Sequence, residues 1–169
     1  MKLFFDQLPA KFGTIHLVSD GERMVSLDFE GFQERLHKLM SKRYETYELV
    51  DADNPQGFTD VLKAYLAGDI TAVDAIPVDT GGTDFQQSCW QLLRKIPAGE
   101  TWTYGQMAKI LGNPKASRAV GITNSLNPVG IVVPCHRVIG ASGKLTGYAG
   151  GLNVKDWLLR HEGAQGQLL

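Results

Sequence analysis

With 169 residues, 43% of them hydrophobic and 21% charged, the chain has the composition of a globular protein with one core or two small lobes. No apolar run reaches the roughly 20 residues that cross a bilayer, and Met1–Asp6 lacks the apolar core and cleavage site of a secretory leader. Two cysteines, Cys89 and Cys135, are too few for a disulfide framework, so composition points to a reducing, cytoplasmic compartment without membrane contact.

The first lobe, residues 1–80, reads as a small α/β domain. Alternating runs at Leu3–Leu8, Thr14–Ser19 and Met24–Phe29 predict an antiparallel meander, turned at Ser19-Asp20-Gly21. Helical spacing through Phe32, Leu36 and Met40 predicts a helix over Gly31–Ser41, followed by a strand at Tyr47–Val50 and a helix over Phe58–Ala67. Asp69–Gly82, with Pro77 and a double glycine, reads as a connection.

The second lobe, residues 81–169, is mostly helical in outline. Thr83–Gln86 is a capping-box pattern opening a helix with an apolar face through Phe85, Cys89, Leu92, Leu93 and Ile96. A second box, Thr103–Gln106, opens a helix over Tyr104–Leu111 that stops at Gly112. Asn113-Pro114 supplies an N-cap and a first-turn proline for a further helix over Lys115–Asn124. Two such helices form a helix-turn-helix, winged-helix-like in outline, and the whole chain is expected to be α+β. The second of them carries Ala116, Ser117, Ala119 and Gly121 around one long cation, Arg118. Small side chains permit close approach to a DNA groove, or equally to a neighbouring helix.

The net charge of −1 conceals an asymmetry. Up to Asp79 there are 8 basic and 14 acidic residues; beyond it there are 9 and 4, giving −6 and +5. Such a split suggests a second lobe facing a polyanion, although chance segregation gives the same numbers.

The segment Ile131–Gly140 contains Val133-Pro134-Cys135-His136-Arg137-Val138. An apolar β-rich run enters Pro134, which fixes the chain direction just before the thiol. An ordinary cysteine, with a pKa near 8.5, is only about 3% thiolate at pH 7, and a histidine relay raises its nucleophilicity. Neighbours on an extended strand point opposite ways, so Cys135 and His136 need a turn, a helical start or a bridging water to cooperate. Asn153 is a candidate cap for a last helix over Val154–His161, and Glu162 at its end is a candidate partner for His136. Cys89 lies on an apolar face and reads as core. Zinc spacing is lacking, so no metal is expected.

These residues resemble the O6-alkylguanine-DNA alkyltransferases, the methylated-DNA–protein-cysteine methyltransferases. The hexapeptide matches their active-site signature, and the likeness runs from Phe85 to Gly163. It includes Ile96–Gly99, Tyr104–Gln106, Ser117–Gly121, Asn127-Pro128, Gly147–Gly151 and Trp157–Gly163, in the order of the short, stand-alone bacterial members.

The resemblance implies single-turnover transfer of the alkyl group from O6-alkylguanine, and from O4-alkylthymine, in double-stranded DNA to Cys135, without a cofactor. It implies minor-groove binding by a monomer through Thr103, Ala116, Ser117, Arg118, Ala119 and Gly121, with Arg118 filling the space of a flipped nucleotide. Tyr104 is then the residue that crowds the phosphate and donates a proton, and Asn127 a hinge. Pro134, Val138, Tyr148 and Ala149 form the pocket, while Glu162 acts through His136 and a water on Cys135. Ile122 and Leu126 are bulkier than the small residues often found on this helix. Rival readings are a non-catalytic alkyl-lesion-binding protein and a thiol hydrolase or regulator.

Overall fold

The computed structural model describes residues 1–31 and 33–164; Phe32 of the expected first helix lies outside the described residues. The chain divides into two compact units, Met1–Gly81 with Pro128–Val132, and Gly82–Asn127 with Val133–Leu169. The class is α+β. Among the described residues no helix is long and apolar enough to cross a membrane.

The first unit is built on strands β1 (Lys2–Ala10), β2 (Gly13–Ser19) and β3 (Met24–Asp28), paired antiparallel as the alternation predicts. Helix α1 (Gln33–Arg43) carries the chain across to β4 (Glu48–Asp51), which pairs parallel with β1 and so makes the sheet mixed. The helix itself makes this possible, because a parallel return requires a crossover longer than a hairpin turn. Leu36 and Met40 of α1 pack on Leu3, Val18 and Val25 of the sheet, forming one core cluster. Helix α2 (Phe58–Leu66) packs against β1. The stretch after it is more than a connection: Ala72–Ala75 forms a 3-10 turn and Met24 N–H donates to Pro77 O at 2.9 Å. Pro128–Val132 also joins this unit, with Leu27 N–H donating to Pro128 O at 2.9 Å.

The second unit contains α3 (Asp84–Leu93), β5 (Trp102–Thr103), α4 (Tyr104–Ile110), α5 (Ser117–Ser125), β6 (Val138–Ile139) and α6 (Leu152–His161). Both capping boxes form, with Thr83 and Thr103 accepting from the amides of Gln86 and Gln106. Phe85, expected on the apolar face of α3, is instead 38% exposed. The two-residue strands β5 and β6 pair parallel, and α4 packs against α5 as a helix-turn-helix.

In the second unit two expected helix starts move, and the apolar run before the thiol takes another form. Helix α5 begins at Ser117 after Ala116, and Asn113 closes the helix before it: its N–H donates to Ala108 O at 3.0 Å and Gly112 N–H to Lys109 O at 3.0 Å. That is a Schellman closure with Gly112 at φ 83°, and it uses Asn113 where an N-cap was expected. Helix α6 begins at Leu152 after Gly151, leaving Asn153 inside the first turn rather than capping it. Finally, Ile131–Val133 is not a strand. Ile131 sits at φ 67°, Val132 N–H donates to Gly130 O at 2.7 Å and Cys135 N–H to Val133 O at 2.9 Å. The apolar side chains are buried, but tight turns replace the extended backbone that β-branching favours.

Candidate active site

Cys135 opens a one-turn 3-10 helix, Cys135–Arg137, directly after Pro134. The turn supplies the helical start that lets adjacent side chains diverge without pointing oppositely. The thiol is buried, only 9% of the residue being exposed. Asn127, buried just beyond α5, donates from one amide nitrogen to Val133 O at 2.7 Å and to Cys135 Sγ at 3.2 Å. A single side chain thus couples the end of α5 to the turn that carries the thiol. Cys89 is fully buried in α3, and burial pushes its thiol up, away from the thiolate.

The neighbouring side chain, His136, is fully buried and bonds through Nε2 to Glu162 Oε1 at 2.9 Å. Glu162 is the C-cap of α6, where the helix dipole disfavours an anion. Arg137 resolves that conflict. Its Nε donates to Glu162 Oε1 at 2.8 Å and its second terminal nitrogen to Oε2 at 3.0 Å, while the first reaches Ile96 O at 2.7 Å.

Burial by itself would raise the Glu162 carboxyl, but His136 and the Arg137 fork hold it well below the usual carboxylate range. Burial lowers His136; Glu162 opposes that shift, and the positive charges of Arg137 and Lys155 add to it. An ionised Glu162 accepts, so Nε2 carries the ring proton and Nδ1 carries the lone pair. His136 Nδ1 is buried and has no hydrogen-bond partner among the described residues. The cluster is therefore a neutral histidine with its basic nitrogen unused.

A second buried cation, Lys155 on α6, lies close enough to Cys135 for their charges to interact. Its ammonium donates to Val138 O at 2.7 Å and Thr146 O at 2.9 Å, and burial lowers its pKa to about 8. Val138 is buried as a whole residue, and its carbonyl is held by Lys155. Tyr148 meets the His136 ring edge-on, with centroids 6.4 Å apart, and Ala149 is exposed beside it in the loop.

Thr103, Tyr104, Ser117, Arg118 and Gly121 line one open groove of about 640 Å³ along α4 and α5, with Ile122 at 58% exposure on its wall. Ala119 is exposed on the same helix. Ala116 is the exception: it is buried, so its methyl supports the turn and is not offered outward. The Thr103 hydroxyl already caps α4.

Sequence reasoning assigned no role to Arg137, Lys155 or Thr146. Lys155 did leave a signal, a cation among Val154, Leu158 and Leu159 on the apolar face of a helix.

The second unit thus combines a helix-turn-helix with a separate turn that holds a buried thiol and, beside it, a histidine bonded to a carboxylate. Comparison with known proteins shows the family. Residues 84–164 match the DNA binding domain of 6-O-methylguanine DNA methyltransferase, and residues 5–80 match its ribonuclease-like domain. The methylated-DNA–protein-cysteine methyltransferase of Shigella flexneri is 45% identical over 166 residues, 96% of this chain and 97% of that protein.

Among solved structures, the O6-methylguanine methyltransferase of Mycobacterium tuberculosis superposes with a TM-score of 0.77 at 38% identity, over 95% of this chain and 93% of that one. The M. tuberculosis OGT in complex with DNA gives a TM-score of 0.78 at 38% identity, over 96% and 93%. The chain belongs to the 6-O-methylguanine DNA methyltransferase family, the methylated-DNA–protein-cysteine methyltransferases.

Proposed function

We propose that residues 81–169 bind alkylated double-stranded DNA and that Cys135 takes the alkyl group from O6 of guanine, and from O4 of thymine, once per molecule. The observation that carries this reading is the thiol-bearing turn next to the His136–Glu162–Arg137 cluster, with His136 Nδ1 unused. Nδ1 is the base, reaching the thiol through one water. The thiolate attacks the alkyl carbon; the Sγ–C bond forms as the C–O6 bond breaks, and the electron pair passes into the guanine ring. Tyr104 supplies the proton that lets guanine leave neutral, and solvent restores it. Glu162, held by Arg137, orients His136 and accepts no proton.

The protein docks in the minor groove as a monomer; small Ser117 and Gly121 on the groove, and Ala119 exposed on the same helix, permit the close approach this requires. Arg118, exposed at the start of α5, takes the place of the nucleotide turned into the pocket. Pro134, Val138, Tyr148 and Ala149 line that pocket, and Asn127 couples α5 to it. A thioether has no easy hydrolytic exit, so the product is dead-end. Two cysteines outside any disulfide suit a cytoplasmic protein.

Intact mass after incubation with a duplex containing O6-methylguanine tests the reading. One methyl gained per protein, mapped to Cys135, is expected. An unmodified protein that still binds the lesion would point instead to a lesion-binding protein, and multiple turnovers would point to a hydrolase.

A further inference from the structure

We infer that Thr146 is a positioning residue for Tyr104, holding the phenol at the groove where the alkyl-transfer reading needs it. The inference rests on that reading and adds a residue to it. Tyr104 begins α4, and its ring lies against α5: a Cβ built on Gly121 would stand 3.8 Å from two of its ring carbons. That contact limits the ring on one side and leaves the phenol oxygen to be fixed from elsewhere. Thr146 fixes it, with Oγ1 at 2.8 Å from the Tyr104 hydroxyl.

Thr146 is itself held from two further directions. Its carbonyl accepts from Lys155 Nζ at 2.9 Å, and the same ammonium holds Val138 O at 2.7 Å, so one buried cation pins both ends of the intervening loop. Its methyl lies over Gly140, where an added Cβ would come within 3.2 Å of Thr146 Cγ2. These contacts select one side-chain rotamer and aim the hydroxyl at the phenol. A hydroxyl both donates and accepts. As donor to Tyr104, Thr146 leaves the phenolic proton free for guanine and steadies the oxygen as that proton departs.

The substitutions that test this are mild, because Thr146 is exposed. Thr146→Val keeps a methyl over Gly140 and replaces the hydroxyl with a second methyl of similar size. Thr146→Ser keeps the hydroxyl. In single-turnover transfer from duplex O6-methylguanine, Thr146→Val should slow methylation of Cys135 about three- to tenfold, the effect of one ordinary hydrogen bond.

Thr146→Ser should restore the native rate, and Thr146→Val should cause no further slowing in a Tyr104→Phe background. A native rate for Thr146→Val, failure of serine to rescue, or equal slowing with and without the Tyr104 hydroxyl would each overturn the inference. The native protein in the same assay separates the two claims: no methyl on its Cys135 sinks the transfer reading itself.

Discussion

Arg137 shows how three adjacent residues of one turn divide their work. In the proposed reaction Cys135 carries the nucleophile and His136 the base, while Arg137 supplies the charge beside the buried Glu162 carboxylate. Taking both charges from water is costly, and the fork repays it only because every oxygen of Glu162 is bonded. This has a consequence for pH. Folding lowers His136 from its ordinary 6.5 and Glu162 from its ordinary 4.5, so in acid the unfolded chain takes up protons before the folded one. Stability from both groups is fully present above 6.5. It falls first as pH drops below 6.5 through His136, then below 4.5 through Glu162, by up to about 1.4 kcal/mol per pH unit for each group. Urea unfolding between pH 7 and 4 checks it; a stability that stays level or rises toward acid would contradict the cluster. The partners Cys135, His136 and Glu162 were legible through a family motif. Arg137 was in plain view inside that motif, but a contact spanning 25 residues of sequence has no local period to betray it.

At the scale of elements, what the sequence signals well is what short-range chemistry decides. Both capping boxes form where Thr and Gln stand three apart, because each satisfies two orphan amides within one turn. Asn113 is not the cap of α5: its N–H joins the glycine-terminated closure of α4, and its carbonyl accepts from Ala116 N–H in a turn that comes before the helix. The strands β5 and β6 were invisible: two residues each, and paired across 36 positions, they carry no alternation to read. The parallel return of β4 was likewise set by the crossover and not by its own composition. Helix α5 carries the prediction at this scale. Arg118 is exposed at its first turn and lines the groove, whose lining does not include Cys135, His136 or Glu162. Arg118→Ala should therefore slow repair of a duplex at least tenfold, the scale of a few kcal/mol for nucleotide flipping, while attack on free O6-benzylguanine stays within about twofold. Rates measured side by side on the two substrates decide it, and equal slowing would remove Arg118 from flipping.

For the molecule as a whole, the charge split read from the sequence survives but changes meaning. Of the 9 basic residues after Asp79, Arg137 and Lys155 are buried and used internally, as is Glu162 among the 4 acidic ones. What remains is seven basic against three acidic, so the excess of cations stays on the outside even when the buried trio is set aside. Lys109, Lys115, Arg118 and Lys144 are the exposed cations on α4, α5 and the connections that follow them. Arg160, by contrast, is paired with Asp156 at 2.9 Å. If these four meet phosphates, each displaces condensed counterions, and the logarithm of the binding constant should fall with that of salt at a slope of about −3 to −4. Reversing Lys115 and Lys144 to Glu should flatten the slope by about two units and weaken binding to undamaged duplex, without altering attack on the free base. Fluorescence anisotropy with a labelled duplex from 50 to 300 mM salt (roughly the range over which counterion release dominates) gives the slope directly. A slope near zero would mean that the positive half of the chain faces something other than a phosphate backbone.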